Sequence, residues 1–129
     1  MTAAVKFTID YPPTKKGRAF WAKEYGLNAY YSGKHWAQRK QDAQYWHMLT
    51  RAAMDKYKVR KKPFEKPVII SFYWNDNLDC SNHAAIGKMI EDAMKSRVIQ
   101  DDNRRYVTGI EHYFHDENFI GVIVREVTE

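Results

Sequence analysis

Apolar and polar residues follow one another along the chain in patterns that predict four strands and two main helices. Residues 5–11 alternate between apolar and polar side chains, as a half-buried strand does. Residues 68–74 form a second, more continuous run of β-branched and aromatic residues. Residues 106–114 and 119–126 predict two further strands, and the short turn between them favours an antiparallel hairpin.

Two stretches show the periodicity of amphipathic helices, in which apolar residues recur at intervals of three and four. The first runs over about residues 34–57, and the second begins at a cap formed by Ser81 or Asn82 and ends near Arg97. The apolar stripes consist of Trp36, Ala43, Trp46, Leu49, Ala53 and Tyr57 in the first helix, and of Ile86, Met89, Ile90 and Ala93 in the second.

Two segments between these elements lack a clear period. Residues 14–18 follow two prolines and predict a basic loop, and residues 19–33 are aromatic and irregular, with Gly26 and Gly33 as breaks. The resulting element order is β-α-β-α-β-β. It predicts a small α/β or α+β fold, with a mixed four-stranded sheet packed against two main helices, in a single domain over residues 1–129.

Composition narrows the class of protein. With 44% hydrophobic residues in 129, the chain is long and apolar enough to bury a core, which argues against disorder. We expect no membrane segment, because no apolar run approaches about 18 residues. The first residues do not have the pattern of a signal peptide. The single cysteine, Cys80, excludes an internal disulfide and favours a reducing compartment.

Charge is distributed unevenly between the two halves of the chain. Residues 1–66 carry 15 Lys/Arg and 5 Asp/Glu, whereas residues 67–129 carry 6 and 11. A basic half joined to an acidic half suits a protein that holds a polyanion with one part and a metal ion with the other. An ordinary solvated surface is the alternative. The candidate DNA contacts are Lys15, Lys16, Arg18, Arg39, Lys40, Lys58, Arg60, Lys61 and Lys62.

The acidic residues concentrate in residues 75–106, where they lie on both sides of the second helix. If that helix packs back on the preceding strand, the two acidic groups converge, and carboxylates that converge need a cation between them. Hard oxygen ligands of this kind suit Mg²⁺ or Mn²⁺. The alternative is that Asp and Asn serve as ordinary loop and cap residues. The six acids are Asp76, Asp79, Glu91, Asp92, Asp101 and Asp102.

Several motifs occur in a fixed order along the chain. Residues 12–15 read Pro-Pro-Thr-Lys, and residues 28–36 form an aromatic segment. They are followed by Asp79-Cys80-Ser81-Asn82, Lys88, Asp92-Ala93-Met94 and the Asp-Asp that ends residues 98–102. This series resembles the RusA family of Holliday-junction resolvases over nearly the whole chain. The core signature of that family is Asp-x-Asp-Asn, then a lysine, then Asp-Ala-Leu, then Asp-Asp after a short apolar run, and residues 28–36 resemble a segment of its phage members.

The resemblance implies a homodimeric, Mg²⁺-dependent endonuclease that cuts four-way DNA junctions in the cytoplasm of a bacterial or phage-infected cell. It implies no small-molecule cofactor, and Mn²⁺ is an alternative metal. Asp79 and Asp102 match metal-site acids, and Lys88 matches a lysine that assists catalysis. Asp101 and Asp92 match further acidic positions of the family.

Two departures from the family pattern leave alternatives open. Ser81 stands where the family has its second aspartate, and three extra residues separate Asn82 from Lys88. A hydroxyl is a poorer Mg²⁺ ligand than a carboxylate, so one alternative is a catalytically weak or inactive junction-binding module. Another is a structural or protein-interaction domain in which the aromatic residues of positions 20–36 form an interface.

Overall fold

The computed structural model describes residues 4–127, which form four strands, four α-helices and a 3-10 turn. Together they make a mixed α+β fold with one four-stranded sheet, as the sequence predicts. In chain order the elements are β1 (Ala4–Asp10), α1 (Lys15–Tyr25), α2 (Leu27–Tyr31), α3 (Trp36–Lys56), β2 (Val68–Trp74), the 3-10 turn (Cys80–His83), α4 (Ala84–Met94), β3 (Val107–Phe114) and β4 (Phe119–Glu126).

The predicted hairpin between the last two strands is wrong. The strand order is β1-β4-β2-β3, so that β2 lies between β3 and β4. Strand β4 pairs antiparallel with both β1 and β2, and β3 runs parallel to β2 at the sheet edge. The physical reason is burial: Ile120, Val122 and Val124 on β4 are fully enclosed, whereas β3 carries several exposed residues and suits an edge.

Helices α3 and α4 pack against each other and supply most of the cover for one face of the sheet. Phe72, Trp46 and Ile90 are fully buried in this layer. The close approach of α4 to β2 and β3 requires a glycine, because a Cβ on Gly87 would lie 3.3 Å from ring atoms of both Phe72 and His112.

The basic loop and the irregular aromatic segment predicted for residues 14–33 are wrong as well, because this stretch forms α1 and α2. Thr14 caps α1 by accepting a hydrogen bond from the Gly17 amide at 2.9 Å. Trp21 is buried and packs edge-to-face against Tyr11 and Trp46. Tertiary contacts of the aromatic rings therefore stabilise helices that local sequence preference hides.

The predicted long helix is confirmed with shifted ends, since α3 runs from Trp36 to Lys56. Its stripe is correct in the middle, where Trp46 and Ala53 are buried, and wrong at both ends, where Trp36 is 71% and Tyr57 45% exposed. The Tyr57 hydroxyl lies 2.6 Å from the Thr8 hydroxyl on β1, so this ring packs at the surface of the sheet instead of in the core. None of the helices within residues 4–127 has both the length and the apolar character needed to cross a bilayer.

The second predicted helix exists, but it is shorter than expected. It ends at Met94 instead of near Arg97, because the chain reverses at Ser96, whose φ is +71°. Its start is a 3-10 turn, and no side-chain hydrogen bond caps either that turn or α4, so the predicted cap at Ser81 or Asn82 is wrong. The predicted apolar stripe of Ile86, Met89, Ile90 and Ala93 is buried.

Candidate functional site

Three carboxylates converge beside the C-terminal half of α4. Glu91, Asp92 and Asp102 each offer an oxygen, and these oxygens lie within 4.8 Å of one another. We call them the acidic cluster. Glu91 and Asp92 are neighbours on α4, whereas Asp102 belongs to the loop that leads to β3. Val98 and Ile99, both buried, fix that loop against the core and so return Asp102 to the helix.

Two lysines neutralise the acidic cluster. The ammonium group of Lys88 forms an ion pair with Asp102, and it lies 3.2 Å from Asp92 Oδ1 and 3.5 Å from Glu91 Oε1. The ammonium group of Lys95 lies 3.3 Å from Asp102 Oδ2 and 3.4 Å from Asp92 Oδ1. Lys88 remains 53% exposed, so its charge is accessible to a solute while it contacts all three acids.

These contacts shift the protonation equilibria of the cluster. The hydrogen bond from Lys88 holds the pKa of Asp102 well below its ordinary range, so this carboxylate stays ionised. Burial raises the pKa of Glu91, against the opposing charge of Lys88. Burial alone would lower the pKa of Lys88, but its hydrogen bonds to Asp102 and Asp92 outweigh this and raise it. Lys88 is therefore a permanent cation at neutral pH.

The donor set of the acidic cluster fits a hard divalent cation. All three groups offer carboxylate oxygens, the ligands that Mg²⁺ and Mn²⁺ prefer. Asp92 Oδ1 is buried and lies 3.2 Å from the Lys88 ammonium group and 3.4 Å from that of Lys95, so cations already approach the oxygen that a metal ion would use.

The structure brings together some of the residues that the sequence predicts and leaves others apart. Asp92, Asp102 and Lys88 meet as described. Asp101 lies next to them: its Oδ1 accepts a hydrogen bond from the Asp102 amide at 2.8 Å and is 3.8 Å from Lys95. Asp79 is exposed at the start of the 3-10 turn and, within residues 4–127, is not among the carboxylates that converge.

Glu91 is a cluster member that the sequence analysis names among the six acids but does not assign to the metal site. It is 3% exposed, which is unusual for a glutamate. A signal for it exists in the sequence, because Glu91 is three residues after Lys88 and precedes Asp92 directly. All three therefore occupy the same side of α4.

A second polar group missed by the sequence analysis is the buried pair of His83 and Asp76. His83 Nε2 lies 2.7 Å from Asp76 Oδ1, and His83 Nδ1 lies 2.9 Å from the Cys80 carbonyl oxygen. Asp76 also accepts hydrogen bonds from the Tyr11 hydroxyl at 2.7 Å and the Leu78 amide at 2.9 Å. No feature of the sequence singles out this pair, because the contact depends on where the 3-10 turn packs.

The nine predicted DNA contacts are exposed and lie in three places. One group begins α1, where Lys15 and Arg18 line a cavity of about 320 Å³ beside Asp76. A second is at the start of α3, where Arg39 donates to the Tyr30 carbonyl oxygen at 2.7 Å. The third follows α3 and comprises Lys58, Arg60, Lys61 and Lys62.

The aromatic residues of positions 20–36 divide between core and surface. Trp21 is buried, whereas Phe20 is 61%, Tyr31 80% and Trp36 71% exposed. Exposed rings near basic residues suit either unpaired bases or a protein partner.

Comparison with known proteins assigns the chain to no family. No protein-family model matches the sequence, and no curated protein matches it significantly. What the protein does has to be inferred from its own residues and from the resemblance described above.

Proposed function

We propose that the protein is a Mg²⁺-dependent, structure-selective DNA endonuclease that resolves four-way junctions. The observation that carries this proposal is the contact of Lys88 with Asp92 and Asp102, because all three belong to the signature that resembles the RusA family. Glu91 adds a third carboxylate to the same place.

Glu91, Asp92 and Asp102 would hold the ion, with Mn²⁺ as a substitute for Mg²⁺. Asp101 and Asp79 remain proposed contributors on the basis of the resemblance alone. Bound there, the ion would polarise the scissile phosphate and lower the pKa of a bound water. The convergence of three carboxylates at one place supports this assignment.

Lys88 is the catalytic cation that belongs to the protein itself, beside the metal ion. Its side chain is more than half exposed and its position is fixed by three carboxylates. An ammonium group held in this way stabilises negative charge that develops on phosphate oxygens, at a place where it need not be reoriented during the reaction. Asp102 keeps Lys88 charged and oriented.

A homodimer would suit the substrate. A four-way junction has two strands related by symmetry, and a twofold dimer presents two identical sites to them. The basic residues at the starts of α1 and α3 and after α3 are the proposed contacts to the junction arms.

The second candidate function is a junction-binding module that does not cut, and Ser81 favours it. Ser81 is exposed in the 3-10 turn and offers a hydroxyl where the family has a carboxylate. This candidate predicts junction binding that is independent of Mg²⁺. A structural or protein-interaction domain, the third alternative, predicts no salt-dependent affinity for DNA.

The deciding experiment is a cleavage assay on a synthetic four-way junction with Mg²⁺, beside a linear duplex. We compare the wild type with Asp102→Asn and with Asp116→Asn, a matched change of an exposed aspartate in the turn before β4. Paired, symmetric nicks made by the wild type and by Asp116→Asn, but not by Asp102→Asn, support the enzyme. Binding without nicks, in both Mg²⁺ and Mn²⁺, overturns it and leaves the binding module.

A further inference from the structure

We propose that a groove between the C-terminal ends of α3 and α4 binds the sugar-phosphate backbone of the DNA strand that reaches the acidic cluster. This inference rests on the proposed function for its substrate. It joins Lys58 and Lys61, which the sequence analysis names as DNA contacts, to Arg51 and Lys95, which it does not, in one surface that leads to the acidic cluster. We call this surface the basic groove. Its cations are Arg51, Lys58, Lys61, Lys95 and Arg97.

The basic groove consists of two adjoining cavities. The first has a volume of about 370 Å³, with Met54 and Ala93 among its lining residues, where α3 and α4 pack together. The second has a volume of about 500 Å³ and lies along the turn after α3. Asp55, Lys61 and Arg97 line both cavities, so the two form one continuous surface.

Charge in the basic groove is strongly positive. Its one carboxylate, Asp55, is paired with Arg97 at 2.6 Å. Among residues 4–127, no carboxylate lies within ion-pair distance of Arg51, Lys58 or Lys61. These three cations thus line the groove without an ion pair of their own among the described residues, which is the electrostatic pattern of a phosphate-binding surface.

The wall of the basic groove is fixed by Arg97. Its guanidinium donates to the Val59 carbonyl oxygen at 2.8 Å and to the Met54 carbonyl oxygen at 3.3 Å, in addition to Asp55. These bonds tie the turn after α4 to the end of α3. Arg97 is therefore structural, while Arg51, Lys58 and Lys61 remain available to a ligand.

Backbone conformation also marks the basic groove. Lys58 and Ser96 have φ values of +52° and +71°, and they are the only non-glycine residues with positive φ within residues 4–127. Each lines one of the two cavities. Both follow a helix C-terminus directly, where a left-handed residue is the ordinary way to end a helix, so these turns shape the groove wall.

Lys95 connects the basic groove to the acidic cluster. It lines the first cavity, and its ammonium group lies 3.3 Å from Asp102 and 3.4 Å from Asp92. A phosphate backbone that follows the groove therefore arrives at the carboxylates that would hold the metal. A small free anion would not need a groove that continues to the acidic cluster, so this continuity favours a strand of nucleic acid as the ligand.

The test measures binding alone, with Ca²⁺ or chelator in place of Mg²⁺. We compare the wild type, the double variant Arg51→Ala/Lys61→Ala and a matched double variant, Lys6→Ala/Lys23→Ala, whose two lysines are exposed on β1 and α1. The affinity for a synthetic four-way junction is followed from about 50 to 200 mM salt. Unchanged thermal unfolding verifies that each variant is folded.

Each lost phosphate contact reduces the slope of log affinity against log salt by about 0.9. The groove variant is expected to lose about two units of slope, so the wild type loses about tenfold more affinity than this variant across that salt range. The control variant should keep the wild-type slope. Equal slopes for the wild type and the groove variant, or equal losses in both double variants, overturn the proposal. So does a wild type that binds no DNA.

These outcomes are separate from the fate of the nuclease. If the wild type binds the junction but never nicks it, the enzyme proposal fails while the slopes still decide the basic groove. If it nicks and the groove variant keeps its slope, the basic groove fails and the enzyme stands. If an acidic protein occupies the groove instead of DNA, the groove substitutions leave the affinity for DNA unchanged, and the proposal fails.

Discussion

His83 Nε2 lies 2.7 Å from Asp76 Oδ1 and 2.9 Å from Oδ2, in a place where the histidine is fully buried and the aspartate 7% exposed. The other ring nitrogen faces the Cys80 carbonyl oxygen. Each ring nitrogen therefore faces an oxygen atom, and the ring is held between the Asp76 carboxylate and the Cys80 carbonyl group. Residues 76 and 80 are thereby tied to one side chain.

This pair fixes the segment that presents Asp79. The Tyr11 hydroxyl accepts from the Asn75 amide at 2.8 Å and donates to Asp76, which anchors the beginning of the segment to β1. Because Asp79 lies between the two residues bound by His83, its backbone position is set by His83 even though its own side chain is exposed. His83 is therefore a positioning residue for this part of the chain.

Replacing His83 by alanine should destabilise the fold by about 1–3 kcal/mol, because the buried Asp76 carboxylate would lose its contact with the His83 ring and keep only the Tyr11 hydroxyl and the Leu78 amide as partners. Urea unfolding followed by circular dichroism measures the change. His47→Ala is the matched control, since His47 Nε2 is buried without a hydrogen-bond partner. It should cost less than His83→Ala. A loss below about 1 kcal/mol for His83→Ala would show that the buried pair contributes no net stability.

Lys88→Met should separate metal binding from catalysis. Without the ammonium, three carboxylates face one another, so Mg²⁺ or Mn²⁺ is expected to bind more tightly. The rate of cleavage should nevertheless fall about 10²–10³-fold, which is the usual loss when one group that stabilises a developing charge is removed. Calorimetry with Mn²⁺ and the junction assay measure the two effects, and Lys66→Met serves as an exposed control. Equal or weaker metal binding would show that Lys88 does not compete with an ion.

The pKa of Asp102 gives a pH dependence with a definite sign. Lys88 lowers this pKa in the folded state below the ordinary 3.8. A depressed carboxyl pKa contributes stability that is fully present above 3.8 and is lost as pH falls toward the folded-state value. The stability difference between the wild type and Asp102→Asn should therefore be constant from about pH 6 to 8 and shrink below about pH 4. A difference that does not change with pH would contradict the ion pair.

Sequence reasoning succeeds where the determinants are local. The alternation in β1 and the stripe of α4 depend on residues within one element, and both are found as predicted. The pairing of β3 and β4 fails because the short turn between them favours a hairpin, whereas the choice of neighbours depends on total burial. The fully buried Ile120, Val122 and Val124 mark β4 as a central strand, a signal that is present in the sequence but weaker than the turn.

The candidate site divides in the same way. Lys88 and Asp92 are one helical turn apart, so the sequence places them together. Asp102 joins them only because Val98 and Ile99 enter the core, which no local pattern reveals. The contact of His83 with Asp76 depends on where the 3-10 turn packs, and the basic groove requires two helix ends to meet. These relationships are set by tertiary structure.

His112 should titrate below its ordinary pKa of 6.5 in the folded protein. Burial lowers this pKa first, and the neighbouring charge of His83 lowers it further. Trp74 Nε1 donates to His112 Nδ1 at 3.0 Å, a bond that exists only while this nitrogen is unprotonated. A depressed histidine pKa contributes stability that is present above 6.5 and is lost as pH falls through the folded-state value. Proton NMR of the His112 ring, with the urea-unfolded chain as reference, measures the midpoint. A folded midpoint at or above the unfolded one would contradict the burial and the hydrogen bond assigned to the His112 ring.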